Sequence, residues 1–403
     1  MKKNLLLLEQ QSWRSGAQRV LEAVIDSLGD DFEPIVAFPG NGPFRSGLER
    51  NRVETTSYPL GTYSSGSKSF SEKLTFGFRS VACGLKMAAL IRRRGIRLIY
   101  INGPRAILAG VLASQISGCP AVFHLHLTLT RRSDITLVTR LAPFLAKIIV
   151  CSHATARPIL DADPRVADKI HVLYNPVPSL RCEAAAPSDA PVESPHITLG
   201  MVGRITEAKG QGKLLAAVGA LRPEQRENIH LIFLGSPAPG NDKDIAYAEH
   251  LRVFAQELNL QDKVYWAGYQ SRPGPYFSQM DALVIASSSR AGEAMPIVVL
   301  EALQKGVPVI ASRTGGIPEV IQHGWNGLLV SPQDGTELTR AIERFLVDKA
   351  LRGTLRSRAR AGLDGRFSMA HFKLAVRRLV NELSPLPETE PVQATVGELA
   401  AWK

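Results

Sequence analysis

Short apolar runs alternate with longer helix-forming stretches along almost all of this chain, and the alternation comes in two series. In the first, strands are expected over 5–8, 35–37, 98–101, 121–126, 147–151 and 170–173, with helices over 16–28, 69–94, 106–117 and 135–144. A stretch rich in Pro, Ala and Ser, 176–195, interrupts the pattern and reads as a linker. The second series then places elements at 197–202, 212–221, 229–234, 246–258, 264–266, 282–285 and 307–310. Alternation of this kind predicts α/β architecture with parallel, doubly wound sheets. A chain of 403 residues has enough core for two such domains. The expected division is a first domain over 1–178, a linker over 179–195, a second domain over 196–370, a final helix over 371–384 and a loose tail over 385–403.

The formal net charge is +11, which favours acidic partners such as phosphorylated substrates or anionic lipid. No nucleic-acid-binding motif accompanies it, so that class of partner is not expected. The four cysteines, Cys83, Cys119, Cys151 and Cys182, lack metal-type spacing and read as free thiols in a reducing cytoplasm. The apolar run from Leu5 to Leu8 is too short for a signal peptide and is followed at once by Glu9, Gln10 and Gln11. A buried parallel strand suits it better. No uninterrupted apolar stretch reaches about eighteen residues, so no spanning helix is expected.

The chemistry concentrates between Ser287 and Val330. Glu293 lies in a loop that enters a helix over 297–305, and Glu301 lies eight positions later, about two turns inside and on roughly the same face. Gly306 and Pro308 end that helix. After a short strand, the turn Thr314-Gly315-Gly316-Ile317-Pro318-Glu319 is expected to open a second helix. Helix N-termini attract anions, and carboxylates beside them suit a ligand with both phosphate and hydroxyls. Upstream, the loop Gly203-Arg204-Ile205-Thr206-Glu207-Ala208-Lys209-Gly210 follows a strand end. Ligands bind at such ends of parallel sheets, and Arg204 and Lys209 suit a diphosphate there. The alternative is a basic surface turn.

The stretch 287–330 resembles the C-terminal signature of retaining glycosyltransferases of family four, which have the GT-B fold. The shared features are the Glu-x7-Glu spacing, Met295-Pro296, Leu300-Glu301-Ala302, Gly315-Gly316-Ile317-Pro318-Glu319 and Asn326-Gly327-Leu328-Leu329-Val330. The resemblance implies two Rossmann-like domains facing across a cleft, with the last helix crossing back to the first. It implies that Glu293 contacts the donor sugar and Glu301 the ribose, that Arg204 and Lys209 clamp the diphosphate, and that the backbone of Met295, Pro296 and Ile297 approaches sugar and phosphate. Where the family often has Gly after the first Glu, this chain has Ala294. That residue is strained if the position needs positive φ and harmless if it does not; Gly292 is the other candidate for the flexible point.

The family also places a histidine beside the anomeric centre at the end of a first-domain strand. His126 is the first choice and His124 the second, since alternation puts both on one face and His126 is nearer the loop. A family segment Gly-Gly-Ala-Glu-Arg corresponds here to Ser15-Gly16-Ala17-Gln18-Arg19, with Ser15 for the first Gly and Gln18 for Glu; Gly16 keeps the second Gly and is the position at which backbone would approach a phosphate. Asn175 resembles a hinge asparagine or is a turn residue, and Glu319 resembles the acid of the phosphate turn or caps a helix. Asp161-Ala162-Asp163 has the spacing of a metal site used by transferases of the other major fold. Pro164 follows it, and it reads as a capping and turn element. No metal and no cofactor are therefore expected, the nucleotide sugar being a substrate.

The function these features imply is metal-independent, retaining transfer of a sugar from a nucleotide diphosphate to a hydroxyl of a glycan or lipid-linked saccharide, in cell-surface polysaccharide or glycolipid synthesis. The alternatives are a sugar-nucleotide epimerase, a phosphorylase, or a non-catalytic scaffold on the same fold. The expected location is the cytoplasm, with contact at the inner membrane face. The basic first domain, and the segment 70–94 in which Leu74, Phe76, Phe78 and Leu85 mix with Arg79 and Lys86, suit an anionic membrane surface. A core-packed helix with a solvated basic end fits the same residues equally well.

Overall fold

Leu5, Leu6, Leu7 and Leu8 are buried on both faces of a sheet, and this continuous apolar run is what a central parallel strand requires. The structure is a computed structural model that describes residues 2–61, 69–177, 196–270, 273–289 and 292–384. The expected linker over 179–195, the tail over 385–403 and Cys182 lie outside the described residues.

The first sheet comprises β1 (Lys3–Glu9), β2 (Phe32–Phe38), β3 (Glu54–Ser57), β4 (Ile96–Asn102), β5 (Ala121–Leu125), β6 (Lys147–Val150) and β7 (Ile170–Val172). Its order is β3-β2-β1-β4-β5-β6-β7 and every pairing is parallel. The second sheet comprises β8 (Ile197–Val202), β9 (Ile229–Leu234), β10 (Val264–Gly268), β11 (Ala282–Ile285), β12 (Val309–Ser312) and β13 (Gly327–Val330). Its order is β10-β9-β8-β11-β12-β13, again all parallel. Two sheets wound in this way, with helices on both faces, make the GT-B architecture.

The last helix, Met369–Leu383, crosses back to the first sheet as expected. Its Phe372, Val376, Leu379 and Val380 share one apolar cluster with Leu5, Leu7, Val20 and Leu21. Arg377 donates to the Ser27 carbonyl at 2.7 Å, at the end of helix Gly16–Leu28. The two halves also meet directly. Ile297 belongs to the first half's cluster, while Cys151 and Tyr174 pack with Ala294, Met295 and Ile317 of the second.

Two of the expected helices come out differently. The turn from Thr314 opens only a single 3-10 turn, Ile317–Glu319, and no helix. The Asn326 side chain intervenes, accepting from Gln322 N–H and donating to the Val320 carbonyl, so the chain closes into a loop before β13. The helix expected over 135–144 begins at Arg132 and gives way to a 3-10 turn at Ala142–Phe144, where Pro143 has no N–H to give. Helix Phe70–Arg94 matches the expected span, and over Ser71–Arg94 it is long and apolar enough by composition to cross a membrane, although lysines and arginines interrupt it. Only 33 % of its most apolar window is buried, so one side packs on helix Ile107–Ser117 and the other is open.

Cys83, Cys119 and Cys151 are buried and free, and burial pushes their thiols up to about 11, 12 and 12 respectively. They are inert packing residues. Asp163 accepts from Arg165 N–H and so caps the turn Pro164–Lys169, while Asp161 lies on the surface beside Arg157.

Candidate active site

Each sheet has a point where the chain leaves in opposite directions, between β1 and β4 in the first and between β8 and β11 in the second. Ligands of open parallel sheets bind outside the strand ends at such points. The two points face one another. Thr128, three residues beyond β5, donates its N–H to the Gly292 carbonyl at 3.0 Å and its hydroxyl to the Glu293 carbonyl at 3.1 Å.

Glu293 is buried after β11. Its Oε1 accepts from the Lys209 ammonium at 2.5 Å and the Ser287 hydroxyl at 2.7 Å. The fold holds this carboxylate by close backbone approach: a Cβ on Gly315, whose φ is 55°, would lie 1.4 Å from the Glu293 carbonyl oxygen. The left-handed residue of the loop is Gly292, at φ 63°, and Ala294 is not among the described residues with positive φ. Alanine is therefore unstrained there.

Pro296 caps helix Ile297–Gln304 on its N-terminal side, and Glu301 sits inside that helix. Its Oε1 is paired with the Arg19 guanidinium of the first half, and its Oε2 is buried without a partner. An orphaned carboxylate oxygen costs on the order of 1–3 kcal/mol, and a ligand hydroxyl placed there would recover it. Gly16 stands opposite, where an added Cβ would come within 3.8 Å of Ile297 Cδ1. Arg204 is exposed beyond β8 and pairs with no carboxylate among the described residues. The structure thus brings Lys209, Glu293, Met295, Pro296, Ile297 and Glu301 to one rim, with Arg204 at its edge. The second helix expected after Gly315-Gly316 is absent, so no N-terminal field comes from that turn. The free N–H groups of helix Ile297–Gln304 remain.

Across the cleft, His124 is wholly buried at the end of β5, with Nδ1 at 2.5 Å from the Tyr100 hydroxyl. His126 follows the strand, its ring centroid 3.9 Å from that of His124. Burial keeps both imidazoles neutral, pushing His126 down to about 3 and His124 well below its usual range. Asn175 donates to the Met295 carbonyl at 2.8 Å and is buried, so it braces the donor-side loop from the first half. Glu319 accepts from His153 N–H, Ala154 N–H and the Tyr174 hydroxyl at 3.0, 2.8 and 2.8 Å. It caps helix His153–Ala162 of the opposite half, with every acceptor oxygen engaged away from Glu293.

The family profile described as Glycosyltransferase Family 4 matches residues 14–179, and that of Glycosyl transferases group 1 matches residues 187–362. The chain belongs to the family-four GT-B glycosyltransferases. Among curated relatives, the lipopolysaccharide core biosynthesis glycosyltransferase LpsE of Rhizobium meliloti is 32% identical over 188 residues, 47% of this chain and 49% of that protein. The D-inositol 3-phosphate glycosyltransferase of Corynebacterium jeikeium is 30% identical over 190 residues, 46% of this chain and 44% of that protein. The chain spans about half the length of these relatives. Over the whole fold, it superimposes on HepE of Anabaena in complex with UDP-glucose with a TM-score of 0.76. The identity is 23%, covering 94% of this chain and 99% of that one.

Several residues of this candidate site were not singled out from the sequence: Arg19, Thr128, Ser287 and the buried pair Glu9 and Asn102. Glu9 and Asn102 are the last residues of β1 and β4. A polar residue closing an otherwise apolar buried strand is the signal that marks them. Arg19 stands at the Arg of the family segment over 15–19, the signal that could have marked it, while Thr128 carries no local signal, because its partner lies 165 residues away.

Proposed function

We propose that this chain is a retaining glycosyltransferase that moves a sugar from a nucleotide diphosphate donor to a hydroxyl of a glycan or lipid-linked saccharide, with no metal or cofactor. The observation that carries the proposal is the placing of one carboxylate at the entrance of helix Ile297–Gln304 and a second inside it. Glu293 is held by Lys209, and Glu301 has an orphaned oxygen. Residues 196–370 then form the donor half and residues 1–178 the acceptor half. Glu301 takes the ribose hydroxyls and Glu293 the sugar hydroxyls. Lys209 and Arg204 take the diphosphate, Lys209 turning from Glu293 to the phosphate as the donor enters.

Breaking the sugar–phosphate bond leaves negative charge on the diphosphate. Arg204, Lys209 and the free N–H groups at Ile297 neutralise it in a partly water-excluded cleft, where such contacts are strongest. The released phosphate oxygen takes the proton of the incoming hydroxyl on the same face of the sugar, so the anomeric configuration is kept and no protein nucleophile is needed. His126, neutral and beside the cleft rim, contacts the sugar. The glycosyltransferase names of relatives matched over about half their length support the reaction class, and the lipopolysaccharide role in the name of LpsE supports a cell-surface polysaccharide or glycolipid product.

The acceptor half would work at the inner face of a membrane. Leu74, Phe78, Val81 and Leu85 are exposed at helical spacing, beside exposed Phe144, and Lys73, Arg92 and Arg93 flank them. An apolar stripe bordered by cations fits an anionic lipid surface.

The test is a panel of nucleotide diphosphate sugars assayed in excess chelator. Release of nucleoside diphosphate with transfer of the sugar, its configuration retained, is expected for at least one donor. Turnover with none of them, inversion, or a strict need for magnesium or manganese overturns the proposal.

A further inference from the structure

Glu9, Asn102 and His126 form a hydrogen-bonded line through the first half, and the reaction described above uses only its His126 end. Glu9 ends β1, Asn102 ends β4, and the parallel register sets Glu9 beside Asn102 and Asn102 beside His124. Glu9 Oε1 accepts from Gln10 N–H at 2.8 Å, Gln11 N–H at 3.1 Å and the Gln18 amide at 2.8 Å. Two of these donors are backbone groups and have no other orientation to offer, so Oε1 is committed as an acceptor. Oε2 faces the Asn102 amide nitrogen at 2.6 Å, and the Asn102 amide oxygen faces His126 Nε2 at 2.7 Å. His126 Nδ1 is buried and has no partner.

The line has two self-consistent settings. With Glu9 ionised, Oε2 accepts from the Asn102 amide, the amide oxygen accepts from His126 Nε2–H, and Nδ1 is left bearing a lone pair. With Glu9 protonated on Oε2, the carboxyl donates, the Asn102 amide must turn over to present its oxygen, and its NH2 then faces His126. The imidazole must now accept at Nε2 and carry its proton on Nδ1. We propose that Glu9 is a positioning residue acting through Asn102 on His126, its protonation state deciding whether Nδ1 meets the cleft as an acceptor or as a donor. The proton balance is simple. One proton comes from solvent to Glu9, while the imidazole exchanges one proton with solvent at each nitrogen and stays neutral.

Burial raises the Glu9 carboxyl to about 7, so both settings are reachable near neutral pH. The ionisable groups around the line are the Tyr58 hydroxyl, which donates to the Glu9 carbonyl, Arg105, which donates to the Gln10 carbonyl, and His124, whose ring lies tilted against His126 and bonds Tyr100. Burial holds Tyr58 and Tyr100 well above and His124 well below neutral pH, and Arg105 stays charged, so Glu9 is the member of the group that titrates there.

Only the role of Nδ1, an acceptor for a hydroxyl of the donor sugar, rests on the transferase reading; the switch itself does not. The full-length protein with 15N-labelled histidine rings is followed by NMR across neutral pH, and His126→Gln assigns the signal. The expected result is a neutral ring protonated on Nε2 above about pH 7 and on Nδ1 below it. Glu9→Gln, whose amide can only donate toward Asn102, should hold the Nδ1–H form at every pH. One unchanging tautomer in the unsubstituted protein overturns the inference even if the variant fails to fold, as does a variant that titrates like the parent. In transfer assays the rate should fall on the acid side of about pH 7 while nucleoside diphosphate affinity stays constant, and Glu9→Gln should abolish that limb. A tautomer change with no change in rate removes the catalytic consequence. A protein that switches tautomer but turns over no donor overturns the transferase reading alone.

Discussion

Glu293 and Glu301 lie on one short helix and its entrance, yet the structure gives them different company, and different consequences follow. Glu293 holds Lys209 and Ser287, both from the second half; Glu301 holds Arg19 from the first and keeps one oxygen unpartnered. Glu301→Ala should weaken free nucleotide and nucleotide sugar alike, by about 1.5–3 kcal/mol, the worth of a charge-assisted bond to ribose. Glu293→Ala should leave nucleotide affinity unchanged or tighten it, because Lys209 is released, and should lower the transfer rate strongly. Titration calorimetry with a nucleoside diphosphate, together with transfer rates, checks both. Effects within a few tenths of a kcal/mol for either would mean that both are solvated charges. A reversed pattern would mean that the donor lies the other way round in the cleft.

Helix Phe70–Arg94 shows how one element serves two environments. Its inner side is fixed: Lys86 donates to the Ser57 carbonyl and Arg94 pairs with Glu54, while Cys83, Met87 and Ile91 are in the core. Its outer side carries Phe78, 70 % exposed. Phe78→Asp should therefore leave folding intact and weaken binding to anionic vesicles at least tenfold, since burying a phenylalanine is worth about 1.5–3 kcal/mol. Co-sedimentation with anionic and with zwitterionic vesicles measures this; equal binding of parent and variant would remove the membrane from the proposal. Elements of this kind were legible in the sequence where one local pattern decides them. Helix Gly16–Leu28 and strand Ala282–Ile285 have the expected bounds, each set by its own run of apolar residues. The helix wrongly expected after Gly315-Gly316 failed because Asn326, well downstream, claims the backbone that would have continued it. The Glu9–Asn102–His126 line was illegible for a similar reason: it exists only once β1, β4 and β5 are in register.

At the scale of the molecule, contacts that join the two halves include Thr128 on Glu293, Asn175 on Met295, Glu319 on the helix from His153, and Arg19 on Glu301. The final helix adds a second tie, since it belongs by sequence to the end of the chain and by packing to the first sheet. Leu379→Ala should cost about 2–5 kcal/mol, and the loss should fall on the first half. Hydrogen exchange should quicken in helix Gly16–Leu28, and unchanged exchange there would show the tie to be superficial. The same tie bears on how the protein is made. As the chain leaves the ribosome, the first sheet emerges before the second, but the face that Phe372, Val376, Leu379 and Val380 cover stays bare until helix Met369–Leu383 has been translated. The first half is thus synthesised before the second yet finished after it, and a nascent chain stalled before Met369 would present that bare apolar face to chaperones.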